Sequence, residues 1–291
     1  MSSSWSLASA LCLNAAATAL LLALLPPRLA AAGLMRTNFA GRSVVTACGT
    51  ILIVGSAPGL AILALSQPHI RNTATLLGML LLGFGALGFG DDRWGTPAAK
   101  GLRGHVRKLI VDRTITSGLV KAVGGIVVAL TAVIALLPDD PLETVVGAAI
   151  IALSANAVNL LDLRPGRASA VSLAAFIICM TALWSKGSLT ELASLGAVAT
   201  SALILYFPDS RARLMLGDTG SNALGACVGA ALLLAFPHSI ARYVCLASLI
   251  ALHALAERWS LSAIIEASPV LRFLDRLTGV RSCETTRPSR S

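Results

Sequence analysis

The chain has 291 residues, of which 56% are hydrophobic and only 13% charged, and it carries a net charge of +9. A soluble domain carries roughly 25% charged residues, and a mean hydropathy of +0.80 leaves more apolar surface than a water-soluble core could hide. The composition indicates a polytopic membrane protein. It argues against a soluble enzyme and against nucleic acid as the partner, because the basic residues fall in loops between apolar runs, where membrane topology explains them. Length alone does not demand a second domain.

In chain order, the first apolar run spans Leu7 to Leu25 and is closed by Pro26-Pro27-Arg28. No Lys or Arg precedes it and no clear cleavage site follows. It reads as a first span with its N-terminus outside rather than as an ordinary signal peptide. A hydrocarbon core of roughly 30 Å needs about 20 helical residues. On that measure spans fall near 5–25, 43–65, 74–90, 118–137, 142–161, 168–184, 189–207, 220–236 and 240–255, with Pro58-Gly59 kinking the second. The expected fold is all-α: a transmembrane helical bundle of about nine spans over residues 1–256, followed by a cytoplasmic or interfacial tail over 257–291. Within that tail, residues 260–279 alternate apolar and charged groups like an interfacial helix broken near Pro269. Five of the six cysteines lie in apolar segments and no CxxC pair occurs, so no chemistry is assigned to them.

Loop charges set the orientation. With the N-terminus outside, the inner segments hold Arg28, Arg36, Arg42, the basic loop from Arg93 to Arg113, Arg164, Arg167, Arg211, Arg213 and six tail arginines. The outer loops hold only Arg71, Lys186 and Arg242. This bias predicts a cytoplasmic C-terminus. It also places Asp91, Asp92, Asp162 and Asp218 on the cytoplasmic side, although they did not enter the argument.

Asp91-Asp92 ends the third span, where adjacent carboxylates repel and the helix terminus is already partly negative. A cation would relieve this, and so would Arg93 in a plain solvated helix end. Asn156, Asn159 and Asp162 recur every third residue at the end of the fifth span, near one face. They suit a phosphate, a sugar hydroxyl or a water-mediated metal, but equally an interhelical polar contact. Leu216-Gly217-Asp218-Thr219-Gly220-Ser221 opens the eighth span. Free N–H groups there suit phosphate, Asp218 would then call for an intervening metal, and the same residues are good N-caps. The basic loop fits lipid headgroups or the phosphate of a lipid substrate. Lys100, Lys108 and Lys121 are candidates that spacing does not separate.

Together, Asp91-Asp92, Asn156-Ala157-Val158-Asn159-Leu160-Leu161-Asp162 and Gly217-Asp218-Thr219-Gly220-Ser221 give a family resemblance over about residues 28–256. The chain resembles the polyprenyl-phosphate N-acetylhexosamine-1-phosphate transferases, the group of phospho-N-acetylmuramoyl-pentapeptide transferase and the undecaprenyl-phosphate GlcNAc-1-phosphate transferases. The resemblance implies transfer of a sugar-1-phosphate from a UDP-sugar to a polyprenyl phosphate at the cytoplasmic face, for cell-wall or surface-polysaccharide precursors. It implies Mg²⁺, with Mn²⁺ as the alternative, a lipid phosphate and a nucleotide sugar as partners, and it allows a homodimer. It implies that Asp218 and Asp92 bind metal and that Asp91, Asp92 and Asp162 serve catalysis, one of the Asp91-Asp92 pair as base. Substrate binding falls to Asn156, Asn159, Lys108, Lys121, Thr219 and Ser221.

Three departures stand out. Pro165 occupies the position of a second acid, Met215 that of an aromatic able to stack on uracil, and no histidine cluster surrounds His253. Arg164 and Arg167 are expected to supply diphosphate contacts in compensation. The competing reading is a non-catalytic relative or an ion-coupled transporter that uses the same acids.

Overall fold

The computed structural model describes residues 3–66, 70–95, 108, 111–114, 116–136 and 140–280. In chain order these form α1 (Ser3–Ala31), β1 (Met35–Thr37), β2 (Ser43–Val45), α2 (Gly49–Ser66), α3 (Arg71–Trp94), α4 (Ser117–Leu136) and α5 (Pro141–Leu161). They continue as α6 (Arg167–Ser185), α7 (Leu189–Ser210), α8 (Gly217–Ala235), α9 (Ile240–Ala256), α10 (Leu261–Ala267) and α11 (Pro269–Leu277). Most of the basic loop, including Lys100 and His105, lies outside the described residues, as does the tail beyond Val280.

Among the described residues, nine long helices sit where nine spans were expected, but the span count differs. Seven of them are long and apolar enough to cross a membrane, or eight if α9 and α10, bent by 96°, form one broken span. α8 is not among them because its first turn is polar. Helices on every side enclose it: it packs most extensively on α3 and α5 and also touches α2, α6 and α7. Its Ala, Gly and Cys residues let neighbouring backbones approach closely. A Cβ on Gly88 of α3 would lie 2.1 Å from the Asp218 carbonyl, so only glycine admits the start of α8 there.

Two boundaries also move. α1 continues through Pro26 and Pro27 to Ala31 rather than ending at them. Residues 43–45, expected in the second span, pair instead with 35–37 in a short antiparallel hairpin. Asn38 closes its turn, its side-chain oxygen accepting from the Ala40 and Arg42 N–H groups at 2.9 and 3.0 Å. The hairpin then joins the segment before α8. Met215 N–H donates to the Val45 carbonyl at 2.8 Å, Cys48 N–H to Met215 at 3.2 Å, and Gly49 N–H to Leu216 at 2.9 Å.

Polar contacts tie the spans together. Asn14 of α1 donates to the Ala197 carbonyl of α7 at 2.9 Å and accepts from Gly59 N–H of α2 at 2.7 Å, just past Pro58. α5 starts with Pro141 in its first turn and Asp140 as its cap, which accepts from Leu142 and Glu143 N–H. Buried Glu143 binds Arg242 and Tyr243, fastening α9 to α5 at that end of the bundle. At the other end, the hairpin, the end of α3, the start of α4, the 162–166 loop, the 211–216 segment and the C-terminal helices meet on one face.

Candidate functional site

That face gathers the acids. The N-terminus of α8 leaves its first N–H groups without helical partners, and sequence alone suggests Asp218, Thr219 or Ser221 as its cap. The cap comes from another helix. Asp92, at the end of α3, accepts from Asp218 N–H at 3.1 Å, Thr219 N–H at 2.9 Å and the Thr219 hydroxyl at 2.6 Å. A carboxylate at a helix N-terminus also interacts favourably with the helix dipole. Gly217, at φ +70°, makes the turn into α8, and a Cβ there would press on Asp92 Oδ2 at 2.5 Å. Behind Asp92, Arg36 of the hairpin donates to its backbone carbonyl at 3.0 Å.

With the cap supplied by Asp92, the Asp218 side chain is released to face α4. There it pairs with the Lys121 ammonium, which also lies 3.2 Å from Asp91 Oδ2. Asn159 of α5 completes the cluster. With its amide nitrogen turned to Asp218, it donates to Asp218 Oδ1 at 3.0 Å and to the Ser221 hydroxyl at 2.9 Å, while its oxygen accepts from Lys121 at 3.2 Å. Ser221 in turn donates to the Gly217 carbonyl at 2.9 Å. The α4 ammonium thus sits among two carboxylates and an amide oxygen contributed by three other helices. Among the described residues, no group of three or more Asp, Glu, His or Cys side chains is arranged to hold a metal ion. Two carboxylates and a carbonyl nonetheless suit Mg²⁺, which keeps several waters and shares its ligands with substrate phosphates.

A shallow cleft with a cavity volume of about 20 Å³ opens beside this cluster, lined by Asn38, Phe39, Asp162, Arg164, Asp209 and Met215 among others. Asp162 closes the C-terminus of α5. Burial, and then the negative charges of Asp209, Asp218 and Asp92, push its carboxyl well above the usual carboxylate range. Arg164 stacks over the Phe39 ring, with its guanidinium carbon 5.2 Å from the centroid. Asn38 Nδ2 is buried without a hydrogen-bond partner.

The structure therefore brings together Asp91, Asp92, Lys121, Asn159, Asp218, Thr219 and Ser221, and sets Asp162 and Arg164 in the adjoining cleft. Other expected residues lie elsewhere. Asn156 is exposed, because each three-residue step on a helix falls about 60° short of a full turn and two steps separate it from Asp162 by about 120°. Arg167 is buried and bound to Asp275 of α11, with Nε–Oδ1 at 2.6 Å and a second contact at 3.1 Å, so its guanidinium is committed to the tail instead of a diphosphate. Lys108 is half-buried, and its carbonyl accepts from Asp112 and Thr114 N–H at 3.0 and 3.2 Å. Of the candidate lysines among the described residues, Lys108 and Lys121, it is Lys121 that bonds to the acids. Sequence reasoning passed over Arg36, Asn38 and Phe39 because the hairpin carries no motif. It also passed over Asp209, which accepts from Ser169 at 2.8 Å. An acid ending an apolar run on the same face was an available signal for Asp209.

Residues 72–236, more than half of the chain, match the family model described as Glycosyl transferase family 4. The matched stretch contains Asp91, Asp92, Lys121, Asn159, Asp162 and Asp218 and leaves out the hairpin and the C-terminal helices. No curated protein matches the chain.

Proposed function

The chain belongs to glycosyl transferase family 4, and from that premise we propose that it transfers a sugar-1-phosphate from a nucleotide sugar to a polyprenyl phosphate at the cytoplasmic face of the plasma membrane. Membership makes it a glycosyl-phosphate transferase, and its apolar helices make it a multi-pass membrane protein. The observation that carries the finer reading is the Lys121 ammonium held between Asp91 and Asp218 beside the N-terminus of α8. An ammonium beside carboxylates that can share a metal with phosphate oxygens is what a diphosphate requires.

In this reading an oxygen of the lipid phosphate attacks the β-phosphorus of the nucleotide sugar. The bond from that phosphorus to the bridging oxygen breaks, and a nucleoside monophosphate leaves. Lys121 binds phosphate oxygens and offsets the charge that develops in transfer. Asp91, freed as Lys121 turns toward the phosphates, accepts a proton from the acceptor phosphate. Asp218 and the Asn159 oxygen would hold Mg²⁺, or Mn²⁺ in its place, which would supply neutralisation of the diphosphate. Asp92 acts by fixing the start of α8, on which Asp218 and Thr219 sit. Arg164 reaches the diphosphate from the cleft, while the Phe39 ring and Asn38 Nδ2 offer stacking and a hydrogen bond to the base. Phe39 thereby takes up the aromatic role for which Met215 is unsuited.

The concentration of arginines on the site face, against Arg71, Lys186 and Arg242 at the other, supports the cytoplasmic orientation. A transporter using the same acids would be expected to carry them near mid-membrane, whereas these cluster at helix ends. The test is incubation of purified protein with undecaprenyl phosphate, Mg²⁺ and a panel of nucleotide sugars. Lipid-dependent release of a nucleoside monophosphate is expected, and its absence across the panel would overturn the reading.

A further inference from the structure

The C-terminal helices lie outside the family match, yet they grip the loop that carries Asp162 and Arg164. After α9 the chain bends by 96° and runs back across the site face. Arg167, the first residue of α6, is 3% exposed. Its guanidinium donates to Asp275 through Nε at 2.6 Å and a terminal nitrogen at 3.1 Å, and to the Ser262 hydroxyl through the other terminal nitrogen at 3.1 Å. All three nitrogens are thus committed to the tail.

The backbones touch on both sides of this pair. A Cβ on Gly166 would meet the Thr278 carbonyl at 2.1 Å, and one on Gly279 would meet the Pro165 carbonyl at 2.5 Å. Val280 N–H donates to the Ser210 carbonyl at 2.9 Å. Arg164 adds a second link, 3.3 Å from Glu266, while its guanidinium lies over Phe39.

An arginine at a helix N-terminus opposes the helix dipole, and a buried guanidinium without its carboxylate is strongly unfavourable. Arg167 therefore cannot keep its buried place unless Asp275 is docked. Gly166 precedes it at φ +72°, so the 162–166 loop turns into α6 at the point where the tail holds it. We propose that Asp275 is a positioning residue: by holding Arg167 it fixes the 162–166 loop so that Asp162 and Arg164 face the cleft, and the C-terminal helices are a working part of the nucleotide-sugar site.

The consequence for turnover rests on the transferase reading, and the consequence for the loop does not. Two measurements on the full-length protein in lipid nanodiscs separate them. The first is amide hydrogen exchange. Asp275→Asn should speed exchange over 162–166 by about tenfold, the worth of a charge-assisted hydrogen bond, and leave the middle of α6 unchanged. Asp275→Glu should restore slow exchange. The second is steady-state kinetics. Asp275→Asn should raise KM for the nucleotide sugar about tenfold while kcat and the KM for lipid phosphate change little, and Asp275→Glu should recover most of the difference. General loss of folded protein would instead lower kcat at constant KM. Unchanged exchange over 162–166, or a fall in kcat alone, would overturn the positioning role. Faster exchange in a protein whose unmodified form transfers nothing would uphold the latch and overturn the transferase reading.

Discussion

Replacing Asp92 by Asn separates a positioning role from a metal-ligand role. The Asp92 carboxylate takes three hydrogen bonds from the first turn of α8, two of them on Oδ2 from Thr219 and one on Oδ1 from Asp218 N–H. An asparagine oxygen can keep the Thr219 pair. Its amide nitrogen then meets the Asp218 N–H donor to donor, and the charge at the helix N-terminus is lost. A charge-assisted hydrogen bond is worth about 1.5–3 kcal/mol and the dipole term about 0.3–1 kcal/mol. Partial exposure of Asp92 brings the net cost down to about 2 kcal/mol. For a chain of this size that lowers the thermal midpoint by about 5 °C. The assay is thermal unfolding of purified protein in detergent, repeated for Thr219→Val and for the double variant. Because the two side chains share bonds, the double-mutant cycle should show a coupling of about 1 kcal/mol. Transfer should fall about tenfold as the start of α8 loosens, while the Mg²⁺ concentration giving half-maximal activity stays put. A variant as stable as the parent, strictly additive with Thr219→Val, or shifted in Mg²⁺ dependence would refute the capping argument and return Asp92 to the metal.

Asp218→Asn should abolish transfer with little loss of folded protein, since Asp92 and not Asp218 caps α8; full Mg²⁺-dependent activity would remove Asp218 from the ligand set. Asp162→Asn should stabilise the fold at neutral pH in the presence of a chelator while impairing transfer. The raised Asp162 carboxyl binds its proton more tightly in the folded than in the unfolded chain. Its contribution to stability is therefore present at low pH and falls as pH rises from the ordinary carboxylate range through the raised folded value; thermal midpoints measured against pH should converge for the two proteins in acid and separate above it. Phe39→Ala should raise KM for the nucleotide sugar about tenfold through lost stacking, worth about 1–3 kcal/mol per base, and an unchanged KM would place the base elsewhere. A reporter active only in the cytoplasm should signal when fused to the C-terminus, and signal from a reporter active only outside would invert the assigned orientation.

The sequence alone was enough for the membrane class, the position of each long helix and most of the acidic cluster. Apolar runs of spanning length report helices in lipid because no other backbone arrangement in such a run satisfies its polar groups there. Short motifs at helix ends report a site because carboxylates beside a membrane need partners. The identity of those partners was a different matter, since it depends on contacts between distant segments. Asp92 and Thr219 are 127 positions apart and Arg167 and Asp275 are 108 apart, and no local pattern encodes either pairing. Spacing could make Lys100, Lys108 and Lys121 equal candidates, and it was the packing of α4 against α3 and α5 that set Lys121 beside Asp91 and Asp218. Asn156 shows the opposite failure, as the three-residue spacing that suggested a shared face drifts around the helix. Side-chain chemistry and hydrophobic length are local properties, and they were legible residue by residue. Which carboxylate caps, which meets the lysine and which is held by the tail were decided by the tertiary structure, because each depends on where another helix ends.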